Sequence, residues 1–317
     1  MNELEEVRVF VTLVECHSAS KAAEKLGVAN SAISRRMKAL EERLGVQLLQ
    51  RTTRTMHLTD DGQVYYERCK RLLDEWNDAE QEVMQSATAL TGNIHVSMPL
   101  SLGISHLSPI IADFMLENPG VSVNLDLSDR RVDVIEDGFD IVFRIGHLED
   151  SSLIARQVTQ VRHMVYCSPQ LAEQYGPFET PDDLRKIPTF GYSNLRHPGR
   201  WPYTAPDGAK GEIRLSPKIL SNNGEALMAA AERNLGAGCQ PTFILHEAFS
   251  SGRLVPLLTD YQWFGMNLYA VYPRARHLSR RVRALLDYVI ERLGKRPYWD
   301  DCLEAISEAQ KPENHAP

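Results

Sequence analysis

Asn30, Ser31, Ser34, Arg35 and Lys38 fall within nine residues, a density of hydrogen-bonding side chains that suits base edges and phosphates. Arginine can donate two parallel bonds to guanine and asparagine can pair bidentately with adenine, so Asn30, Ser31, Ser34 and Arg35 are candidates for reading bases. Lys38 suits a phosphate, and Arg36, which borders the apolar stripe described next, joins the candidate set. Placed on a helix at about 100° per residue, Ser31, Ser34, Arg35 and Lys38 share one stripe. Ile33, Met37, Leu40 and Leu44 share another. One face suits a core and the other a polar, negatively charged partner. In isolation a solvated face of an ordinary three-helix bundle would look the same, so the flanking elements have to decide.

Those elements form a compact scaffold. Leu4, Val7, Val11 and Val14 recur at helical spacing and predict a first helix to about Cys16. A second helix starts near Ser18 or Ser20, where Ala22 and Ala23 allow close approach and Gly27 suits the tight turn that follows. Helix, glycine turn and a second helix with a polar stripe describe a helix-turn-helix, here over 19–38, whose stripe enters a DNA major groove. Beyond Gly45, "VQLL" and "MHLT" form two short strands joined by "QRTTRT". Such a hairpin is a wing, in which Arg51, Thr52, Thr53 and Arg54 would grip the backbone or the minor groove.

The rest of the chain narrows the class. A length of 317 residues predicts two or three domains. The net charge of −7 speaks against nucleic acid only as a total. Between residues 30 and 58 six basic residues meet two acidic ones, an excess of +4, which leaves −11 elsewhere: a basic module on an acidic body. Five scattered cysteines form no disulfide framework, and the charged start and the lack of a long apolar run predict a cytoplasmic chain with no membrane partner. The ten histidines lack ligand spacing, and no phosphate loop, nucleophile elbow or paired C-x-x-C is present, so no metal, cofactor or catalytic residue is expected.

Thr59 can cap a helix whose Tyr65, Cys69, Leu72, Trp76, Ala79, Val83, Ser86 and Leu90 keep alternating spacings of four and three. A continuous helix over 59–90, about 45 Å long, is expected, with its stripe joining two copies into a dimer or packing on its own body. From Asn93 strands and helices alternate: Ile94, Val96 and Met98 in one strand, a helix to "ENPG", Val121 to Leu127 in the next strand, "RVDVIEDG" as a short helix and "FDIVFRI" as a buried strand. This predicts an α/β unit with a largely parallel sheet.

The stretch "AAEKLGVANSAISRRMKALEERLGVQLLQRTTRTMHLTDDG" resembles the winged helix-turn-helix of LysR-type transcriptional regulators. The segment from Asn93 to Gly146 resembles the start of that family's effector-binding domain, and "LSRRVRALLDYVIERL" its closing helix. The chain departs at Ala29 and Asn30, where members have serine then glutamine, which moves the expected helix cap to Asn30 or Ser31. It departs again at "GAGCQP", where an aliphatic strand is expected. The resemblance implies a mixed fold: an α-rich winged helix-turn-helix over 1–58, a linker helix over 59–90 and a two-lobed α/β effector-binding domain over 91–293, similar to type 2 periplasmic binding proteins. Lobe I would take 91–161 and 266–293, lobe II 162–265, leaving 294–317 as a tail.

In such sheets ligands sit beyond the strand carboxyl ends and against helix amino ends. Candidates there are Leu100, Ser101, Ser128 and Arg144 on one lobe and Ser221, Asn222 and Asn223 on the other, for a small molecule of which a carboxylate is one option. Helix capping or a structural ion pair would equally account for several of them. Cys239 is either a redox switch or an inert buried thiol. In the tail, Trp299, Cys302, Leu303 and Ile306 predict one short amphipathic helix followed by disorder. The expected function is a dimeric or tetrameric regulator binding an inverted-repeat promoter site in double-stranded DNA and responding to an effector. The rival is a cleft-based enzyme or solute-binding protein with an N-terminal interaction domain.

Overall fold

Polar caps start the first two helices, and left-handed residues, His17, Gly27 and Gly45, stop the first three. The computed structural model describes all residues except 1, 52–55, 85–88, 131, 136, 147–152, 274–277 and 304–317, with the backbone alone at 51, 78 and 81–84. Helix α1 (Glu3–Cys16) begins where the Asn2 side chain accepts the Leu4 N–H at 3.2 Å. Helix α2 (Ala19–Leu26) begins behind Ser18, whose hydroxyl accepts the Lys21 N–H. Gly27, at φ +66°, turns the chain into α3 (Asn30–Leu44). The cap of α3 does not move to Asn30 or Ser31. Ala29 already carries the extended backbone that precedes a helix, so Asn30 is the first helical residue. Its amide donates to Ser20 Oγ instead, tying α3 to α2.

Val9, Phe10, Leu13, Ala22, Ala23, Ile33, Met37 and Leu40 fill the core of this unit, 1–88, together with Leu48, Leu49 and Cys69. Strand β1 (Leu49–Arg51) pairs antiparallel with β2 (Met56–Leu58), Leu49 opposite Leu58. Thr59 Oγ1 accepts the Gly62 N–H at 2.9 Å and donates to the Gln47 carbonyl at 2.7 Å, capping α4 (Asp60–Met84) and fastening it to the wing. A Cβ at Gly62 would lie 2.0 Å from the Leu48 carbonyl oxygen, so this crossing admits only glycine.

Helix α4 is described over 25 residues, about 37 Å, and does not reach the expected end at Leu90. Ser86 lies outside the described residues, and Leu90 stands beyond the helix, packed on the core of the second unit, just ahead of its first strand at Gly92. The heptad stripe also divides. Tyr65 and Cys69 pack into the three-helix core, whereas Leu72 and Trp76 are 59% and 48% exposed.

The second unit, 89–317, is built on a mixed sheet rather than a largely parallel one. Gly92–Met98 pairs in parallel with Val121–Leu127 and Ile141–Gly146. Leu153–Cys167 and Gln262–Pro273, fifteen and twelve residues long, run antiparallel to each other, and the latter also lies antiparallel to Ile141–Gly146. The reason is topological: one long strand carries the chain into the second lobe, the other brings it back, and neighbours travelling in opposite senses pair antiparallel. Ser108–Glu117 and Arg280–Leu293 contribute Ile111, Phe114, Leu285 and Val289 to the main core. The described residues of "RVDVIEDG", 132–135, 137 and 138, lie in turns and irregular chain rather than the expected helix, because Asp133 Oδ1 accepts the Ile135 N–H and Asp137 Oδ2 the Asp133 N–H, local bonds that compete with helical ones.

In the second lobe Phe190–Tyr192 lies parallel to Ile219–Ser221, followed by helix Gly224–Ala231, strand Gly238–Pro241 and helix Thr242–Ser250. The glycine-rich departure has a packing cause: a Cβ at Gly238 would sit 2.6 Å from the hydroxyl of fully buried Tyr166. Among the described residues of the expected tail, Pro297, Trp299 and Asp300 are buried. Trp299 is 1% exposed against His106, and buried Asp300 accepts from Thr242 Oγ1 at 2.6 Å; Ile306 lies outside the described residues.

Candidate functional site

On α3 the two stripes separate cleanly. Ile33, Met37 and Leu40 are each 0% exposed, while Asn30, Ser31, Ser34, Arg35 and Lys38 are exposed on the other side. Among the described residues Arg35 has no ion-pair partner. Lys38 Nζ lies 3.5 Å from Glu42 in a solvated i,i+4 pair, which a phosphate can replace at little cost. Arg36 donates to Glu5 Oε2 at 2.8 Å, an ion pair that ties α3 to α1. Arg43 does the same through Glu6, whose carboxylate is 5% exposed and takes two bonds at 3.2 Å. That buried charge is one α1 could not keep without its guanidinium. The basic excess of the segment is thus partly internal.

Arg51 belongs to β1, where the backbone alone is described, and Thr52, Thr53 and Arg54 lie outside the described residues. Sequence reasoning treated Glu41 only as an opposing charge. Its Oε1 accepts the Leu48 and Leu49 N–H groups at 2.9 and 3.1 Å, holding the base of the wing against α3.

In the second unit the strand ends converge as expected, with unexpected partners. The Leu100 N–H donates to Asp129 Oδ1 at 3.0 Å, and the Ser101 hydroxyl donates to Glu225 Oε2 at 2.6 Å, a bond from one lobe to the other. Asn194 Nδ2 donates to the Asp129 carbonyl and to Tyr192 Oη, both at 3.3 Å. Burial, followed by the adjacent Asp129 carboxylate, pushes the Tyr192 phenol up to about 12, with Glu225 acting in the same direction.

The remaining candidates serve the backbone. Ser128 Oγ accepts the Arg130 N–H, Ser221 Oγ the Asn223 N–H, and Asn223 Oδ1 the Ala226 N–H as the helix cap; Asn222 is exposed. Arg144 alternates with Phe143 and Ile145, which enter the main core, so its guanidinium reaches the opposite sheet face and donates to the Val132 carbonyl. Leu100 and Ser101 are therefore brought to the cleft with Asp129, Tyr192, Asn194 and Glu225, four residues the sequence reading missed. Glu225 had a usable signal, an acidic residue in a helix's first turn, and Asp129 directly follows candidate Ser128. Burial pushes the Cys239 thiol up and keeps it protonated, which disfavours a redox role. Among the described residues no His, Cys, Asp and Glu grouping could hold a metal ion, and no helix is long and apolar enough to cross a membrane.

Both units have known counterparts. Residues 4–63 match the family described as bacterial regulatory helix-turn-helix protein, lysR family, and residues 87–294 match the LysR substrate binding domain. The chain is 33% identical to the HTH-type transcriptional regulator CrgA of Neisseria meningitidis over 291 residues, covering 92% of this chain and 97% of CrgA. It is 30% identical to the HTH-type transcriptional regulator PtxR of Pseudomonas aeruginosa, covering 93% and 94% of the two chains. Among solved structures, CrgA superposes with a TM-score of 0.59 at 32% identity, covering 92% of this chain and 99% of that one. The full-length Vibrio cholerae virulence activator AphB superposes at 0.56 with 26% identity, covering 91% and 98%. With both domains matched and relatives aligned almost end to end, the chain belongs to the LysR family of helix-turn-helix transcriptional regulators, which bind DNA through the first domain and a small-molecule effector through the second.

Proposed function

We propose that α3 reads a promoter site through Asn30, Ser31, Ser34 and Arg35, with Lys38 on phosphate and Arg51, Thr52 and Arg54 of the wing on the backbone or minor groove. Two copies joined through α4 bind an inverted repeat whose half-sites lie about 34–36 Å, or a multiple of it, apart. An effector held at the strand ends of the second unit alters that binding. The observation carrying the reading is the burial of Ile33, Met37 and Leu40, which turns the polar stripe of α3 outward.

The test is footprinting of a promoter fragment by the full chain and by Arg35→Ala. A lost bidentate contact should weaken protection roughly 10- to 100-fold and relax the preference at one base pair in each half-site. Equal protection by both proteins would remove Arg35 from the interface.

A further inference from the structure

We infer that the cleft selects a small organic cation, an amine or a guanidine, because two donors at its first strand end are already bound to the chain's own carboxylates. This rests on the proposed reading of the cleft as the effector site and names the chemical class of its ligand.

Two donors at the first strand end are occupied, the Leu100 N–H by Asp129 and the Ser101 hydroxyl by Glu225. The two carboxylates come from opposite lobes and both act on the partly buried Tyr192 ring. Among the described residues neither is within ion-pairing distance of a lysine, arginine or histidine, and Arg144 is turned to the other sheet face. A further acceptor lies under the same helix. Gln240, 3% exposed, donates through Nε2 to the Gly224 carbonyl at 3.1 Å, which leaves its Oε1 buried with no partner. Through that bond the Gln240 amide sits at the first turn of the helix that carries Glu225.

Two carboxylates, an aromatic ring and an orphan amide oxygen form an acceptor set. A ligand with several N–H donors and a positive charge satisfies it, the Tyr192 ring adding its negative face. A carboxylate effector would have to displace one internal carboxylate and then lie beside the other, against like charge. An ammonium that pairs with Glu225 competes with the Ser101 hydroxyl for the same oxygens. It thereby acts on a bond that joins the two lobes.

The full-length chain is titrated calorimetrically with matched probes: 1,4-diaminobutane against succinate, benzylamine against benzoate, and agmatine. At least one amine should bind while its carboxylate counterpart stays inert, and Glu225→Gln and Asp129→Asn should each weaken that amine tenfold or more. Both variants keep an acceptor oxygen for the donor they bind. Should either fail to fold by circular dichroism, Ser101→Ala replaces it: both charges remain, so amine affinity holds or rises, and its loss refutes the assignment. Binding of a carboxylate in place of its amine, amine affinity indifferent to both neutralisations, or no amine bound at millimolar concentration would overturn the inference. The titration contains no DNA, so each of these outcomes leaves the Arg35 footprint, and the regulator reading with it, standing.

Discussion

Arg36 and Arg43 show how one residue's role depends on a distant partner. Both look like phosphate ligands in a basic helix, yet each is matched to a glutamate of α1, Glu5 31 residues away and Glu6 37 away. The two pairs differ in weight. Glu5 is half exposed, which limits its pair to less than about 1 kcal/mol, whereas Glu6 is buried and its carboxylate depends on the guanidinium for solvation. At the same scale, His163 makes stability depend on pH. Its Nδ1 is buried without a partner, and burial pushes the ring down to about 4. In the unfolded chain the ring titrates near 6.5, so between these values the unfolded state binds a proton that the folded state refuses. Stability is complete above about pH 6.5 and falls as the pH drops toward 4, by roughly 3 kcal/mol at most. Urea denaturation between pH 7 and 4.5 should record the fall, and His163→Gln should flatten much of it; an unchanged slope would assign the effect to other groups.

Among the elements, the wing depends most on contacts from outside itself. Its strands are three residues each, too short to persist alone, and Glu41 holds their base by two backbone bonds. Glu41→Ala removes no residue from the proposed DNA face. At about 1 kcal/mol per hydrogen bond it should nevertheless weaken promoter binding roughly three- to tenfold by loosening the wing, with helical circular dichroism unchanged. Glu41→Gln, which retains an acceptor oxygen, should recover much of the affinity in the same footprint titration. Helix α4 carries the complementary lesson. Its 3–4 spacing was legible, but a single stripe served two purposes, the intramolecular core at Tyr65 and Cys69 and an exposed apolar edge at Leu72 and Trp76.

For the whole molecule that edge bears on assembly. Burying a leucine or a tryptophan is worth about 1.5–3 kcal/mol each, so a helix presenting both gains by meeting a second copy. If α4 joins the proposed dimer, sedimentation equilibrium at micromolar concentration should report dimers for the parent chain and monomers for the double substitution Leu72→Asp and Trp76→Asp. Protection of two half-sites should then give way to weak binding at single ones. A variant that stays dimeric would place the association elsewhere. The charge distribution acts at this scale too: on a chain of net −7, specific binding needs the local excess on α3 and the wing, and rising salt should weaken it.

By itself the sequence determined what neighbours along the chain can settle. Helix registers, the Thr59 cap, the left-handed turn at Gly27, the inward stripe of α3 and the first three strands of the second unit all follow from spacings of a few residues. Tertiary structure decided which polar groups are spoken for. Ser101 meets Glu225 across 124 residues, Arg36 meets Glu5 across 31, and Gly238 is explained only by the Tyr166 ring packed against it. The physical reason is that a side chain's propensity acts locally, whereas hydrogen bonds and charges take whichever partner folding brings within about 3 Å, and no periodicity encodes that choice.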